Sequence, residues 1–263
     1  MMQATNLKPL SGVKVLVTRP LLEAQILSDQ LRALGAVAIE LPTIEIVPPE
    51  SYSQVDRAIR SLANYDWVIF TSVQGVRYFV DRMGILSVPV ETLNEVHVAA
   101  IGSSTASALK QNSKTADYVP REYLSELIVP GLGDLRRKRV LLPRANIASK
   151  RLPTLLRERG AVVDEVVAYH TVTSRDLTPQ RLKSALSEGV DFVTFTSPSA
   201  IRSLAGVIGH HALQSSLGNV KIACIGPVTA EAVKELGLHA EIVAENHTID
   251  ALVEAIMDEL RTS

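Results

Sequence analysis

The chain has a single cysteine, Cys224, among 263 residues. One thiol excludes an intrachain disulfide and any metal site assembled from several cysteines. Cys224 lies within a strand-like run, where a small core residue is a better reading than a reactive thiol. No run is long and apolar enough to span a bilayer, and Met1-Met2-Gln3-Ala4-Thr5-Asn6 lacks the apolar centre of a signal peptide. A cytoplasmic protein is expected. Net charge is −1, so there is no global field to attract nucleic acid or an anionic membrane. Any anionic ligand must be held by local donors. The common signatures of cofactor chemistry are missing as well. The turn after the first strand reads Thr18-Arg19-Pro20-Leu21, not a glycine-rich loop. Gly131-Leu132-Gly133 lacks a third glycine, precedes a charge run and reads as a linker. There is no P-loop. The histidines are scattered, and the adjacent His210-His211 pair suits no metal-ligand spacing. Ser72 and Ser197 lack the flanking glycines of a nucleophile elbow.

What the chain does contain is a repeat. Asp66-Trp67-Val68-Ile69-Phe70-Thr71-Ser72 returns as Asp191-Phe192-Val193-Thr194-Phe195-Thr196-Ser197, at 191 − 66 = 125 residues. Each copy reads as a buried strand that stops at Thr-Ser and enters a helix. Val15-Leu16-Val17-Thr18-Arg19 is answered by Val140-Leu141-Leu142-Pro143-Arg144 at the same offset, and Gly35-Ala36-Val37 by Gly160-Ala161-Val162. Ile101-Gly102-Ser103-Ser104-Thr105-Ala106 is answered by Ile225-Gly226-Pro227-Val228-Thr229-Ala230, at 226 − 102 = 124 residues. Two copies of one α/β unit therefore make up most of the chain, whose length suits two domains.

The periodicity predicts strands at Val13–Thr18, the Asp66 motif, Val96–Ile101, Val140–Leu142, the Asp191 motif and Val220–Ile225. A short strand is expected at Tyr118-Val119. Longer extended runs cover Val37–Val47, broken by Pro42, and Val162–Thr173. Between them lie helical stripes from Pro20 to Leu34, Tyr52 to Leu62, Val76 to Gly84, Ser103 to Lys110, Lys150 to Arg159, Pro179 to Ser187, Ser199 to Ile208 and Thr229 to Leu236. A weaker helix is expected after Leu124, and a last strand and helix towards the C-terminus. Strands alternating with helices imply βαβ units and parallel sheets. Ligand sites in such sheets lie beyond the carboxyl ends of strands, where Thr71-Ser72 and Thr196-Ser197 fall. Hydroxyls and backbone amides at helix starts, with a few arginines, suit anion binding.

Five motifs carry a family resemblance. Phe70-Thr71-Ser72, Ala100-Ile101-Gly102 with Thr105-Ala106, Ala168-Tyr169, Phe195-Thr196-Ser197-Pro198-Ser199 and Ile225-Gly226-Pro227-Val228-Thr229-Ala230 together resemble uroporphyrinogen-III synthase. The resemblance covers nearly the whole chain. It implies an enzyme that closes the linear tetrapyrrole hydroxymethylbilane while inverting the last ring through a spiro intermediate. The substrate is its own electrophile, so the implied chemistry uses neither a metal nor an organic cofactor. The implied partners are that substrate and hydroxymethylbilane synthase, which could hand it over; a monomer is expected. The implied fold is α/β, with two similar domains, each a parallel sheet flanked by helices. Repeats alone would cut the chain in tandem near Lys138. The resemblance instead inserts one domain into the other, with residues 1–42 and 172–263 forming the first, 51–165 the second, and 43–50 and 166–171 a two-stranded connector.

Tyr169 matches the proposed catalytic tyrosine, whose hydroxyl would help water depart; packing across the connector is its plain alternative. Thr105 and Thr229 match binding positions, and helix capping would explain them equally. Ser72 and Ser197 read first as caps that offer backbone amides. Arg19 and Arg144 could meet carboxylates bidentately or simply stand exposed at strand ends. Thr71, Gly102, Ser103, Ser199 and Gly226 complete the expected substrate-binding set. Lys150 and Arg151 open a helix against its dipole, which hints at an anionic neighbour. Val73 stands where the family usually has the proline found at Pro198, leaving that turn in question. The competing readings are a non-catalytic tetrapyrrole or anion sensor on the same fold, and a glycosyltransferase-like enzyme, for which no sugar-nucleotide constellation is present.

Overall fold

A computed structural model describes residues 8–120 and 127–262. The helix expected after Leu124 falls outside them. In chain order the elements are β1 (Lys14–Val17), α1 (Leu21–Ala33), β2 (Val37–Glu40), β3 (Ile44–Val47), α2 (Ser53–Arg60), β4 (Trp67–Phe70), α3 (Val73–Ile85), β5 (His97–Ala100) and α4 (Ser103–Gln111). They continue with β6 (Arg139–Ala145), α5 (Arg151–Glu158), β7 (Val162–Thr173), α6 (Pro179–Ser187), β8 (Phe192–Phe195), α7 (Pro198–Ile208), α8 (His210–Leu217), β9 (Lys221–Cys224), α9 (Pro227–Glu235), β10 (Ile242–Val243) and α10 (Ile249–Thr262). The chain divides into two compact units, Met1–Glu45 with Val172–Ser263, and Ile46–Thr171.

The sheet of the first unit has the order β10-β9-β8-β1-β2, and that of the second β3-β7-β6-β4-β5. The pairings β10–β9, β9–β8, β8–β1 and β1–β2 are all parallel, as are β7–β6, β6–β4 and β4–β5. Matched through the repeat, β1, β2, β8 and β9 correspond to β6, β7, β4 and β5, so the two sheets share one spatial order. Each sheet nevertheless takes strands from both sequence copies: Leu16 lies opposite Val193, and Trp67 opposite Val140. The repeated aspartate fixes this register. Asp191 accepts from the Lys14 amide at 2.8 Å, and Asp66 from the Arg139 amide at 2.8 Å.

The buried strands are apolar on both faces because helices cover both. In the second unit Val68 and Phe70 pack with α2, α3 and α4, while Ile69 between them packs with α5 and the segment Val129–Leu132. In the first, Val193, Phe195 and Cys224 face α6 to α9, and Val15, Val17 and Phe192 face α1 and α10. Cys224 is fully buried, which pushes its thiol up to about 12 and makes it a core residue. No helix among the described residues is long and apolar enough to cross a membrane.

Several expectations need correction. Gly84 does not end its helix, which runs one residue further to Ile85. Tyr118 forms only an isolated bridge to Ala99. Helix α8 has no counterpart in the expected pattern; it starts directly after Gly209, whose φ of 86° breaks the chain away from α7. Gly131-Leu132-Gly133 is no free linker: Leu132 is buried, and a Cβ on Gly131 would lie 2.0 Å from the Tyr118 ring.

Candidate active site

In the second unit the residues expected to act on substrate lie towards the carboxyl ends of β4, β5, β6 and β7. Strand β4 stops at Thr71-Ser72, and Ser72 caps α3, its Oγ accepting from the Gly75 amide at 3.0 Å. The same Oγ lies 3.0 Å from the Tyr169 hydroxyl. Tyr169 comes from β7, which carries an irregularity here. Val167 pairs with Arg144 and Tyr169 with Ala145, so Ala168 is an extra residue. Strict alternation from Val166, which packs on the α3 side, would send residue 169 to the other face. The bulge reverses that parity and lets the phenol reach α3. There Tyr169 is 6% exposed and stacked on Tyr78, with ring centroids 5.6 Å apart. Residue 75 must be small, since a Cβ on Gly75 would meet the Pro143 carbonyl at 3.1 Å and Ser72 Oγ at 3.2 Å.

The neighbouring helix α4 starts differently. Gly102 precedes it at φ 90°, ψ 150°, and no side chain caps it. That backbone conformation belongs almost wholly to glycine. Gly102→Ala is expected to destabilise this unit by about 1–3 kcal/mol, the usual cost of such strain; urea unfolding measures it, and an unchanged midpoint would refute the strain argument. Ser103 is exposed and Thr105 is buried.

The first unit repeats the arrangement with changes. Ser197 caps α7, its Oγ accepting from the Ala200 amide at 3.3 Å and lying 2.9 Å from the Ser199 hydroxyl. Its backbone, at φ −159°, ψ 152°, matches that of Ser72 at −160°, 154°. Val73 in place of a proline therefore leaves the turn unaltered. Gly226 precedes α9 with extended backbone, and a Cβ there would lie 2.6 Å from the His247 ring. His247 is a neighbour that nothing in the sequence pattern announced; burial lowers its pKa. Thr229, like Thr105, is the third residue of its helix, is buried, and makes no cap bond. Capping explains the two serines and leaves the two threonines unexplained.

Neither strand-end arginine stands free for a ligand. Arg19 meets Glu23 at 2.6 Å. Arg144 is 6% exposed, donates to the Ser149 carbonyl and lies 3.4 Å from Glu165. Each leaves a buried Nε without a partner. Burial lowers the pKa of Arg144, against the opposing pull of Glu165 and Tyr169. Glu165 also meets Lys150 at 3.1 Å and Arg157 at 3.2 Å. Burial would raise its pKa, but hydrogen bonds from Lys150 and Arg157 and the charges of Lys150 and Arg144 bring it below the ordinary value. The anionic neighbour of Lys150 is thus Glu165 itself. Sequence reasoning misses Glu165 because it looks like a solvated strand position; the signal is its repeat partner Glu40, which holds Arg32 at 2.9 Å as Glu165 holds Arg157.

The family profile described as uroporphyrinogen-III synthase HemD matches residues 25–254. The uroporphyrinogen-III synthase of Synechococcus elongatus is 30% identical over 256 residues, covering 95% of this chain and 96% of that protein. The porphyrin biosynthesis protein HemD of Ruminiclostridium josui is 30% identical over 253 residues. That match covers 95% of this chain, which spans about half, 49%, of the longer protein. A crystal structure of a mutant uroporphyrinogen III synthase from the extremely thermophilic bacterium Thermus thermophilus shares the fold, with a TM-score of 0.73 at 23% identity over 95% of this chain and all of that one. Sequence relatives and fold agree over nearly the full length, and the chain belongs to the uroporphyrinogen-III synthase family.

Proposed function

We propose that the chain is a lyase that cyclises hydroxymethylbilane to uroporphyrinogen III in tetrapyrrole biosynthesis. The observation that carries this is Tyr169, turned by the β7 bulge onto the Ser72 cap at the carboxyl end of β4. In this reading the phenol donates to the terminal hydroxyl of the substrate as its C–O bond breaks. The electron pair of that bond goes to oxygen, the phenolic proton completes the water, and the pyrrole nitrogen supplies electrons to the cationic carbon. Attack at the substituted carbon gives the spiro intermediate, which reopens and recloses. The phenolate regains a proton when the last ring carbon loses its own. Left alone, the substrate closes without inversion, so the protein acts by holding the alternative geometry.

Within each unit substrate carboxylates are assigned to backbone amides at helix starts, those of α3 and α4 with Thr71, Ser103 and the Thr105 hydroxyl in the second, and those of α7 and α9 with Ser199 and the Thr229 hydroxyl in the first. The threonines being buried yet unused as caps supports this assignment. Arg19 and Arg144 drop to supporting roles, because each already holds a carboxylate of the chain. We further read β3 and β7 as the connector and the middle of the chain as an inserted domain; the division after Glu45 and before Val172 falls inside those strands. A cytoplasmic monomer receiving substrate from hydroxymethylbilane synthase completes the reading, since spontaneous closure penalises a released intermediate.

Product analysis tests the assignment. Hydroxymethylbilane is generated in place, the purified protein added, and the oxidised porphyrin isomers separated. A dominant type III isomer is expected. Type I alone, with saturable binding, would make the chain a binding module instead.

A further inference from the structure

The Ser72 hydroxyl has one proton and two close neighbours. It accepts from the Gly75 amide at 3.0 Å, and that amide is itself a donor, so the proton of Ser72 cannot point there. The other neighbour, the Tyr169 oxygen at 3.0 Å, can accept it. Two features favour that direction. An N–H donating into a hydroxyl oxygen strengthens the hydroxyl as a donor in turn. Ser72 also sits at the N-terminus of the 13-residue α3, where the partial charge is positive and stabilises a neighbouring anion. The geometry is held from the other side too. Tyr169 is clamped against Tyr78 at an interplanar angle of 27°, and Gly75 lets the helix start approach β6 closely enough for the contact.

We infer that Ser72 is a positioning residue for Tyr169. It donates to the phenolic oxygen, so the phenolic O–H is not spent on Ser72. As the C–O bond breaks and that O–H passes its proton to the leaving oxygen, the phenolate left behind keeps the hydrogen bond from Ser72. The contact strengthens as charge develops, so it acts on the transition state more than on the bound substrate. This inference rests on the proposed role of Tyr169.

Three substitutions separate donation from capping. Ser72→Asp keeps a strong N-cap acceptor for the Gly75 amide but has no proton to give. Ser72→Ala removes both functions, and Ser72→Thr keeps both. Type III formation and thermal unfolding are measured for each, alone and combined with Tyr169→Phe. The Asp variant is expected to hold its melting temperature while kcat falls about 10²-fold, the usual loss for one such donor, with KM little altered. Ala should fall as far, and Thr should recover most of what Ala loses. With Phe at 169, substitution at 72 should cost little further turnover. Ala and Asp variants with the turnover of the parent protein, while Tyr169→Phe is slow, would overturn the role of Ser72 alone. A Tyr169→Phe protein with full turnover would overturn the reading beneath it.

Discussion

Tyr169→Phe is expected to slow type III formation by about 10²–10⁴-fold, the range for loss of a positioned proton donor. The substitution is well suited to the question, because phenylalanine keeps the ring stacked on Tyr78. What disappears is the hydroxyl, and with it the contact with Ser72 at 3.0 Å among its interactions. A neutral hydrogen bond contributes about 0.5–1.5 kcal/mol, so the protein should still fold and bind. The loss should appear in kcat, since donation to a departing oxygen matters most in the transition state. Unchanged turnover would reduce Tyr169 to a packing residue.

Glu165→Gln is expected to cost about 3 kcal/mol of stability, measured by urea unfolding. Glutamine keeps the volume and one carbonyl oxygen, so the loss reports on charge. Arg144 is the reason for the size: it is buried, and its guanidinium would face Lys150 and Arg157 with no carboxylate between them. The lower end of the range for broken buried pairs is appropriate because the Ser149 carbonyl still accepts from Arg144. Lys150 and Arg157 are more exposed and contribute less. The pH dependence has a definite sign. The carboxyl of Glu165 is depressed below its ordinary 4.5, so its contribution is complete above that pH. It fades as pH falls through the depressed value. The gap between parent and Gln variant should thus be constant near neutrality and narrow in acid. A gap independent of pH would point to lost packing instead.

Much of the local structure is legible in the sequence. The apolar stripes and their Gly and Pro boundaries locate most helices, and Val162–Thr173 and Pro179–Ser187 match the expected limits. The Thr-Ser motifs mark real caps. Local signals mislead where a residue serves two contexts, as at Gly131, which looks like linker glycine until Tyr118 lies on it. Arg144 reads in the sequence as a candidate for a ligand carboxylate and Glu165 as an ordinary polar strand residue; only their mutual approach across β6 and β7 shows that the carboxylate Arg144 meets is Glu165.

By itself the sequence determined the α/β class, the repeat, most of the helices and the motifs that mark the family. These depend on neighbours within a turn or a strand, where hydrophobic period, capping and turn chemistry act directly. Spacing along the chain, which would cut it in tandem near Lys138, does not contain the pairing of β1 with β8 and β4 with β6 that divides each sequence copy between two sheets. Tertiary structure alone decided that one extra residue in β7 turns Tyr169 towards Ser72, 97 positions away. A period of two or 3.6 records which face of an element is buried, and carries nothing about which distant element buries it.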